Sequence, residues 1–328
     1  MELVELGTDG ASATGTAGTF AASVESTAIA PRVPHYVLWS PDGSLLSVVS
    51  RAGETLELGF FGSDGRDFGV PVNGAPIFST WMADSHFLVA HAGPRVTLIE
   101  ATSGQVVRSI SDAAVGFRAP GVSASGRVVY AEPRLGGLRV MQTTASEFDG
   151  TELAQFGSGG VLAFRPESED LTVGVASSAE AGALSGLWLI STNGDRRRVS
   201  GGPFVAYAWS PKGDRVALVV PSQSGDGRHY VQIIDETGEV LCVSEAIVPS
   251  QEFRLWLAFF DQYAQSHSLW DAAGRTLLLS GRRVDDSVHS GFGDPVGDKV
   301  YAWLAERNQP LEMVAPGVSG FFSKQELP

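Results

Sequence analysis

One phrase recurs along the chain: an aromatic residue, a short polar turn carrying Asp or Gly, then a β-branched apolar run. It is clearest in Trp39-Ser-Pro-Asp-Gly-Ser-Leu-Leu-Ser-Val-Val and in Trp209-Ser-Pro-Lys-Gly-Asp-Arg-Val-Ala-Leu-Val-Val. Worn copies start at Trp81, Phe164 and Trp270, and a copy at Gly121 keeps the pattern without the aromatic. These anchors lie 42, 40, 43, 45 and 61 residues apart. The turn chemistry is local: Pro presets φ, Asp caps its own backbone and Gly accepts a positive φ. The runs after it read as strands. A second strand pair follows in each unit, signalled by Asn193-Gly194 between apolar runs and by similar turns after Glu100 and Asp235. Each unit is thus strand, turn, strand, loop, strand, turn, strand. Radial repetition of such a meander at this period predicts an all-β fold, a β-propeller.

The count of units comes from the ends. Gly317–Ser323 reads as a first strand with nothing after it, and residues 1–38 read as a unit lacking its first strand, with strands expected over Glu2–Gly7, Thr19–Glu25 and Ala28–Val33. Sharing one blade between 317–323 and 1–38 would close the ring and hide both sheet edges. The expectation is one propeller domain over residues 1–328 with seven four-stranded blades, six being the alternative. The stretch Thr8–Gly18, rich in Gly, Ser, Thr and Ala, reads as a flexible loop.

Composition narrows the function classes. The chain has 328 residues, 39 of them Gly and 17 Pro, with 43% hydrophobic and 18% charged residues, and a formal net charge of −14. That balance argues against a general nucleic-acid or anionic-membrane binder. A single cysteine, Cys242, excludes an internal disulfide framework and any multi-cysteine metal site. It sits in an apolar strand and reads as a buried small residue. No apolar run is long enough for a transmembrane helix, and the acids at Glu2 and Glu5 do not suit a signal peptide. A cytoplasmic protein is expected, or one associated with a periplasmic or membrane complex if the start is trimmed.

Trp39-Ser-Pro-Asp-Gly followed by Leu-Leu-Ser-Val-Val resembles the TolB-type, or WD-like, propeller repeat. His35-Tyr-Val-Leu-Trp-Ser-Pro-Asp and the run Phe259–Trp270 are similar to an uncharacterised bacterial subgroup of TolB-like proteins. The resemblance covers most of the chain and implies the fold more than the function. Propellers of this kind include periplasmic protein-binding modules and the gating propellers of prolyl-oligopeptidase-type peptidases. The peptidase activity needs an α/β-hydrolase domain, and no G-x-S-x-G motif occurs here.

The 61-residue interval owes its excess to Glu252–Trp270, expected as a long aromatic loop across the mouth of the channel. Asp261 and His267 could pair there for acid–base or metal work, and Tyr263 lies between them. Trp256 is the tryptophan outside the repeat position best placed for an exposed contact, with Arg254 two residues away. His35 precedes an inner strand as His267 does, so both are expected near one face. The bland reading is that this loop packs across the propeller and uses its polar groups to cap turns. Asp285, Asp286, Asp294 and Asp298 form an acidic stretch in which a loose calcium site is possible. No zinc spacing occurs, no catalytic residue is assigned, and no other cofactor is implied. The functional expectation is a non-enzymatic scaffold that binds a protein or peptide partner over one face through 252–270. The alternative is a propeller hydrolase or lactonase with a metal held in the central channel.

Overall fold

The computed structural model describes Glu2–Val4, Ser26–Ala28 and residues 34–323, the last apart from 116–117, 148, 180, 284–296 and 306–308. Strands β1 (Glu2–Val4) and β2 (Ser26–Ala28) form an antiparallel pair. The expected strands over 19–25 and 29–33, the loop 8–18, and Asp285, Asp286 and Asp294 of the acidic stretch lie outside the described residues.

Five four-stranded meanders follow. The first comprises β3 (Pro34–Trp39), β4 (Leu45–Ala52), β5 (Thr55–Gly62) and β6 (Asp67–Gly74). The second holds β7 (Ile77–Trp81), β8 (Phe87–Ala92), β9 (Arg95–Glu100) and β10 (Gln105–Ser111). The third holds β11 (Gly121–Val122), β12 (Arg127–Arg134), β13 (Gly137–Thr144) and β14 (Thr151–Phe156). The fourth holds β15 (Gly160–Phe164), β16 (Leu171–Ala176), β17 (Leu184–Ile190) and β18 (Arg196–Ser200). The fifth holds β19 (Ala206–Trp209), β20 (Arg215–Pro221), β21 (His229–Asp235) and β22 (Val240–Val243). Within each meander neighbours are antiparallel and consecutive in sequence, as the repeat predicts, and a single pairing of His229 with Ile247 joins the fifth to the strands of the sixth unit.

The sixth unit departs from the pattern. Its elements are β23 (Ile247–Pro249), helices α1 (Gln251–Ala258) and α2 (Phe260–Tyr263), then β24 (His267–Ser268), β25 (Thr276–Arg283), β26 (Lys299–Leu304) and β27 (Glu312–Pro316). β23 pairs with the far end of β25, Ile247 opposite Arg283. The near end of β25 is met by residues after the helices: Leu278 N–H donates to the Leu269 carbonyl at 3.0 Å and Trp270 bridges Leu277. The first strand of this sheet is therefore split, and the chain leaves the ladder to build two helices before resuming it. The stretch expected as a loop is helical, and its insertion accounts for the long interval. A last strand, β28 (Phe322–Ser323), pairs with β24.

Buried clusters lie between successive sheets, as stacked blades require: Tyr36, Leu58, Leu88 and Ile99 join the first two, Val89, Leu98, Val128 and Tyr130 the next pair. The anchor aromatics stitch the same seams. Trp81 Nε1 donates to the Leu38 carbonyl at 3.0 Å, Trp209 Nε1 to Thr172 Oγ1 at 2.8 Å, and Trp270 Nε1 to the Ala208 carbonyl at 2.9 Å. Each indole thus reaches back to the preceding sheet. Arginines of the preceding sheet cover the anchors from the other direction: Arg127 lies 4.9 Å from the Phe164 ring, Arg165 5.6 Å from Trp209 and Arg215 5.8 Å from Trp270. The repeat's aromatic is thus a joint between blades. Among the described residues, no helix is long and apolar enough to cross a membrane.

The turns behave as read. Gly43 has φ 71°, and Asp42 accepts from Ser40 Oγ at 2.6 Å and from the Ser44 N–H at 3.0 Å. The Ser40 hydroxyl leads in holding the Asp42 carboxyl down to about 2, with the Ser44 N–H next. A lowered carboxylate stabilises the fold above its unfolded value of about 3.9, and that contribution is lost as pH falls toward 2. Asp42→Ala should therefore cost under about 1 kcal/mol at neutral pH, since the group is exposed. In urea unfolding, the deficit should shrink between about pH 4 and pH 2. A second variant, Trp81→Phe, should cost about 0.5–1.5 kcal/mol by removing one hydrogen bond to the Leu38 carbonyl, which keeps the Ser47 hydroxyl at 3.0 Å.

Candidate functional site

Helices α1 and α2 stand where the first strands of the sheets converge. Ser250 starts α1: its Oγ accepts the Phe253 N–H at 3.0 Å, a regular N-cap. Phe253, Trp256 and Leu257, at helical spacing, are buried, while Glu252, Arg254 and Leu255 face outward. The expectation of an exposed Trp256 is corrected here. Only 3% of it is exposed, stacked between Phe253 at 6.0 Å and Phe321 at 5.9 Å. A helical turn at this point puts 256 on the same face as 253 and 260.

α2 contacts the first strands around the ring. Gln262 Oε1 accepts the Ser79 N–H at 2.8 Å, and its Nε2 donates to the Ser79 carbonyl at 3.0 Å. This side-chain amide pairs with β7 as a backbone neighbour would. Gln265 Nε2 reaches the Ser79 carbonyl at 3.0 Å and Thr80 Oγ1 at 3.1 Å. Tyr36 of β3 donates its hydroxyl to the Gln262 carbonyl at 2.8 Å, and burial pushes that phenol up to about 12. Tyr207 of β19 meets Phe260 edge-on at 4.9 Å.

Asp261 does not pair with His267. Its Oδ2 accepts the Ala119 N–H at 2.9 Å and its Oδ1 accepts Arg118 Nη1 at 3.2 Å. Its side chain is 1% exposed and that of Arg118 32%. Arg118 also donates to the Ala258 carbonyl at 3.1 Å. Burial pushes the Asp261 carboxyl up, opposed by the Arg118 guanidinium and the Ala119 N–H. His267 is half-buried, its Nδ1 2.7 Å from Ser266 Oγ and its ring edge-on to Phe321 at 5.2 Å and to Tyr263 at 6.0 Å. Burial lowers its pKa, which favours the neutral imidazole. Asp261 lies in α2 and is bound to Ala119 and Arg118, whereas His267 lies beyond the helix in β24 against β28, so the expected pair does not form.

On the outer side, two grooves flank a ridge formed by Leu255 and Tyr263. One, of about 230 Å³, runs between that ridge and His35, Ile77, Phe78 and Phe259. The other, of about 120 Å³, is bounded by Glu252, His267, Ser319 and Phe321. His35 and His267 thus border neighbouring grooves on one face, while Arg254 is exposed on α1. On the inner side of α2, a cavity of about 240 Å³ is walled by the first strands of several sheets. Sequence reading did not single out Gln262, Gln265, Arg118 or Leu255. The two glutamines three apart were a usable signal once a helix was assumed.

Solved structures align along most of the chain. Oligogalacturonate lyase from Vibrio parahaemolyticus aligns with a TM-score of 0.57 at 12% identity, over 87% of this chain and 81% of that one. The β-propeller domain of Cps50 (Swd1) from Myceliophteria thermophila aligns at 0.51 and 10% identity, over 90% of each chain. The fold is a β-propeller. A prolyl endopeptidase aligns at 0.60 and 11% identity, over 90% of this chain but 45% of that protein. Identities this low show a shared fold and leave function to the site. No family model matches the chain, and no curated protein does.

In this propeller the axis is occupied by the chain's own helices, and the buried Asp261 ties them to the third blade. Asp261→Ala, which leaves the Ala119 N–H and Arg118 without their partner, should cost about 2–4 kcal/mol, discounted because Arg118 is partly solvated. Asp261→Asn keeps an acceptor for Ala119 and should cost much less. A raised carboxyl stabilises fully below its unfolded value, and that contribution is lost as pH rises through the folded one. Thermal melts should therefore show Asp261→Asn gaining on the parent as pH rises above about 4.

Proposed function

We propose that this β-propeller is a non-catalytic binding module that holds a peptide or protein segment on the face capped by α1 and α2. The observation that carries the reading is the ridge of Leu255, 53% exposed, and Tyr263 standing between two largely apolar grooves. Side chains of a docked segment would enter the grooves on either side, with His35, Arg254 and His267 at the rim. Trp256 and Asp261 support this surface from beneath. The architecture we favour is the TolB-like one with seven blades, in which residues 317–323 and 1–38 share a blade. Its support is the succession of six strand units and the separate β1–β2 pair before them; β28 pairs with β24 of the sixth unit.

The alternative, a metal-dependent hydrolase or lactonase acting in the channel, has less support. Asp261, the carboxylate on the wall of the inner cavity, is committed to Ala119 and Arg118. The described residues hold no group of three or more His, Cys, Asp or Glu placed to ligate a metal.

Selection of peptides from a displayed library against the immobilised protein tests the reading. Selected peptides should bind Leu255→Glu at least about tenfold more weakly than the parent, since one lost apolar anchor is worth about 1.4 kcal/mol or more. The melting temperature should be almost unchanged, because Leu255 is exposed. Peptides that bind both proteins equally, or a selection that enriches none, would overturn this site.

A further inference from the structure

The smaller of the two outer grooves differs from its neighbour in the chemistry of its wall. Three rings border it, those of Tyr263, His267 and Phe321, and all three are partly exposed. His267 stands at 88° to Tyr263 with the centroids 6.0 Å apart, and at 86° to Phe321 at 5.2 Å. Rings set at right angles enclose a corner. They come here from α2, from β24 and from the residue preceding β28. The corner is braced from behind: Trp256 stacks on Phe321 at 5.9 Å, and β24 pairs with β28. Ser266 Oγ, 2.7 Å from His267 Nδ1, holds the imidazole in place.

The charged side chain on this groove is a carboxylate, Glu252. It lies one turn before Leu255 and Trp256 on α1, so the three share one stripe of the helix. Glu252 is exposed, and among the described residues no cation forms an ion pair with it. Arg254, two residues on, does not line the groove. Burial lowers the His267 pKa, so at neutral pH the imidazole adds an aromatic face and no repelling charge. Ring faces are electron-rich and the carboxylate is anionic, so the wall favours a cation. A metal ion would need several oxygen ligands where one carboxylate is offered. A cation with an apolar skin and a weak hydration shell gains from the rings what it loses from water.

We propose that the smaller outer groove is a binding site for an organic cation, an alkylated ammonium or a guanidinium head group, enclosed by Tyr263, His267 and Phe321 with Glu252 as its counter-charge. The groove volume of about 120 Å³ is several times the ~30 Å³ share of one water molecule, room for a head group of about five heavy atoms. The site gives one groove of the proposed face a charge preference. It rests on the peptide reading only for the source of the cation, which is either a side chain of a docked segment or a free amine.

Choline serves as the probe and 3,3-dimethylbutan-1-ol as its uncharged isostere, followed by saturation-transfer NMR at low salt. Choline should saturate the parent with a dissociation constant below about 10 mM, and the isostere should bind at least about fivefold more weakly. Glu252→Gln, an exposed substitution, should weaken choline about twofold or more and leave the isostere unchanged. Phe321→Leu keeps the apolar bulk but removes a ring, and should weaken choline about threefold. Circular dichroism checks the fold of both variants, and Glu252→Gln decides alone if Phe321→Leu does not fold. Nα-acetyl-lysine amide and Nα-acetyl-arginine amide separate the sources: tighter binding than choline points to a side chain of a docked segment, weaker binding to a free quaternary amine. The proposal is overturned by any of three results: no saturable choline binding, an isostere that binds as tightly as choline, or choline affinity equal in the parent and Glu252→Gln. None of these touches the ridge, whose peptide selection requires no cation.

Discussion

Sheets arranged around an axis leave a core that must be packed, hydrated or opened to a ligand, and in this protein Gln262 answers that constraint. Its side-chain amide forms both hydrogen bonds with Ser79 that a neighbouring strand would form, so the first strand of the second blade is partnered on its inner edge. Gln265 adds to the hold on the second blade, and Tyr36 and the Arg118–Asp261 pair extend the attachment to the first and third. The plug therefore belongs to the ring mechanically, although it arises from a break in the sixth blade. A flexible flap could not hold so many backbone groups with fixed geometry.

This arrangement sets where recognition can occur. The ionisable groups that looked most like chemistry are used to hold the plug. Asp261 is buried against Arg118 and the Ala119 N–H, and His267 is held by Ser266 and two aromatic rings. What remains toward solvent is shape: a ridge, two grooves and an exposed leucine. What remains toward the axis is a cavity walled largely by aromatic and small side chains.

The seams between blades explain why the repeat is written with an aromatic before its turn. A tryptophan there can bury its ring between sheets and still place its N–H on the previous sheet's polar groups, as Trp81, Trp209 and Trp270 do. An arginine one sheet back lies over the rings of Trp209 and Trp270. The copy at Gly121 lacks the ring, and the space it leaves is shared with the Phe164 ring, 3.5 Å from where a Gly121 Cβ would stand.

Much of the fold was legible in one dimension, because turn chemistry and β-branched runs act over a few residues and repeat. Trp39–Val49 and Trp209–Val220 announce strand, turn and strand without reference to anything distant, and the near-constant spacing of the anchors announces the meander. The helices of the sixth blade were not legible in that way. The run from Glu252 to Trp270 is aromatic throughout, and its spacing suits a helix or a packed loop until its neighbours are known. Only the tertiary structure decided that Asp261 meets Arg118, 143 residues away, that Trp256 is buried, and that Tyr207 shares a cavity with it. Local sequence determines local conformation; the meeting of residues from different blades is set by how the sheets and the helices pack on one another.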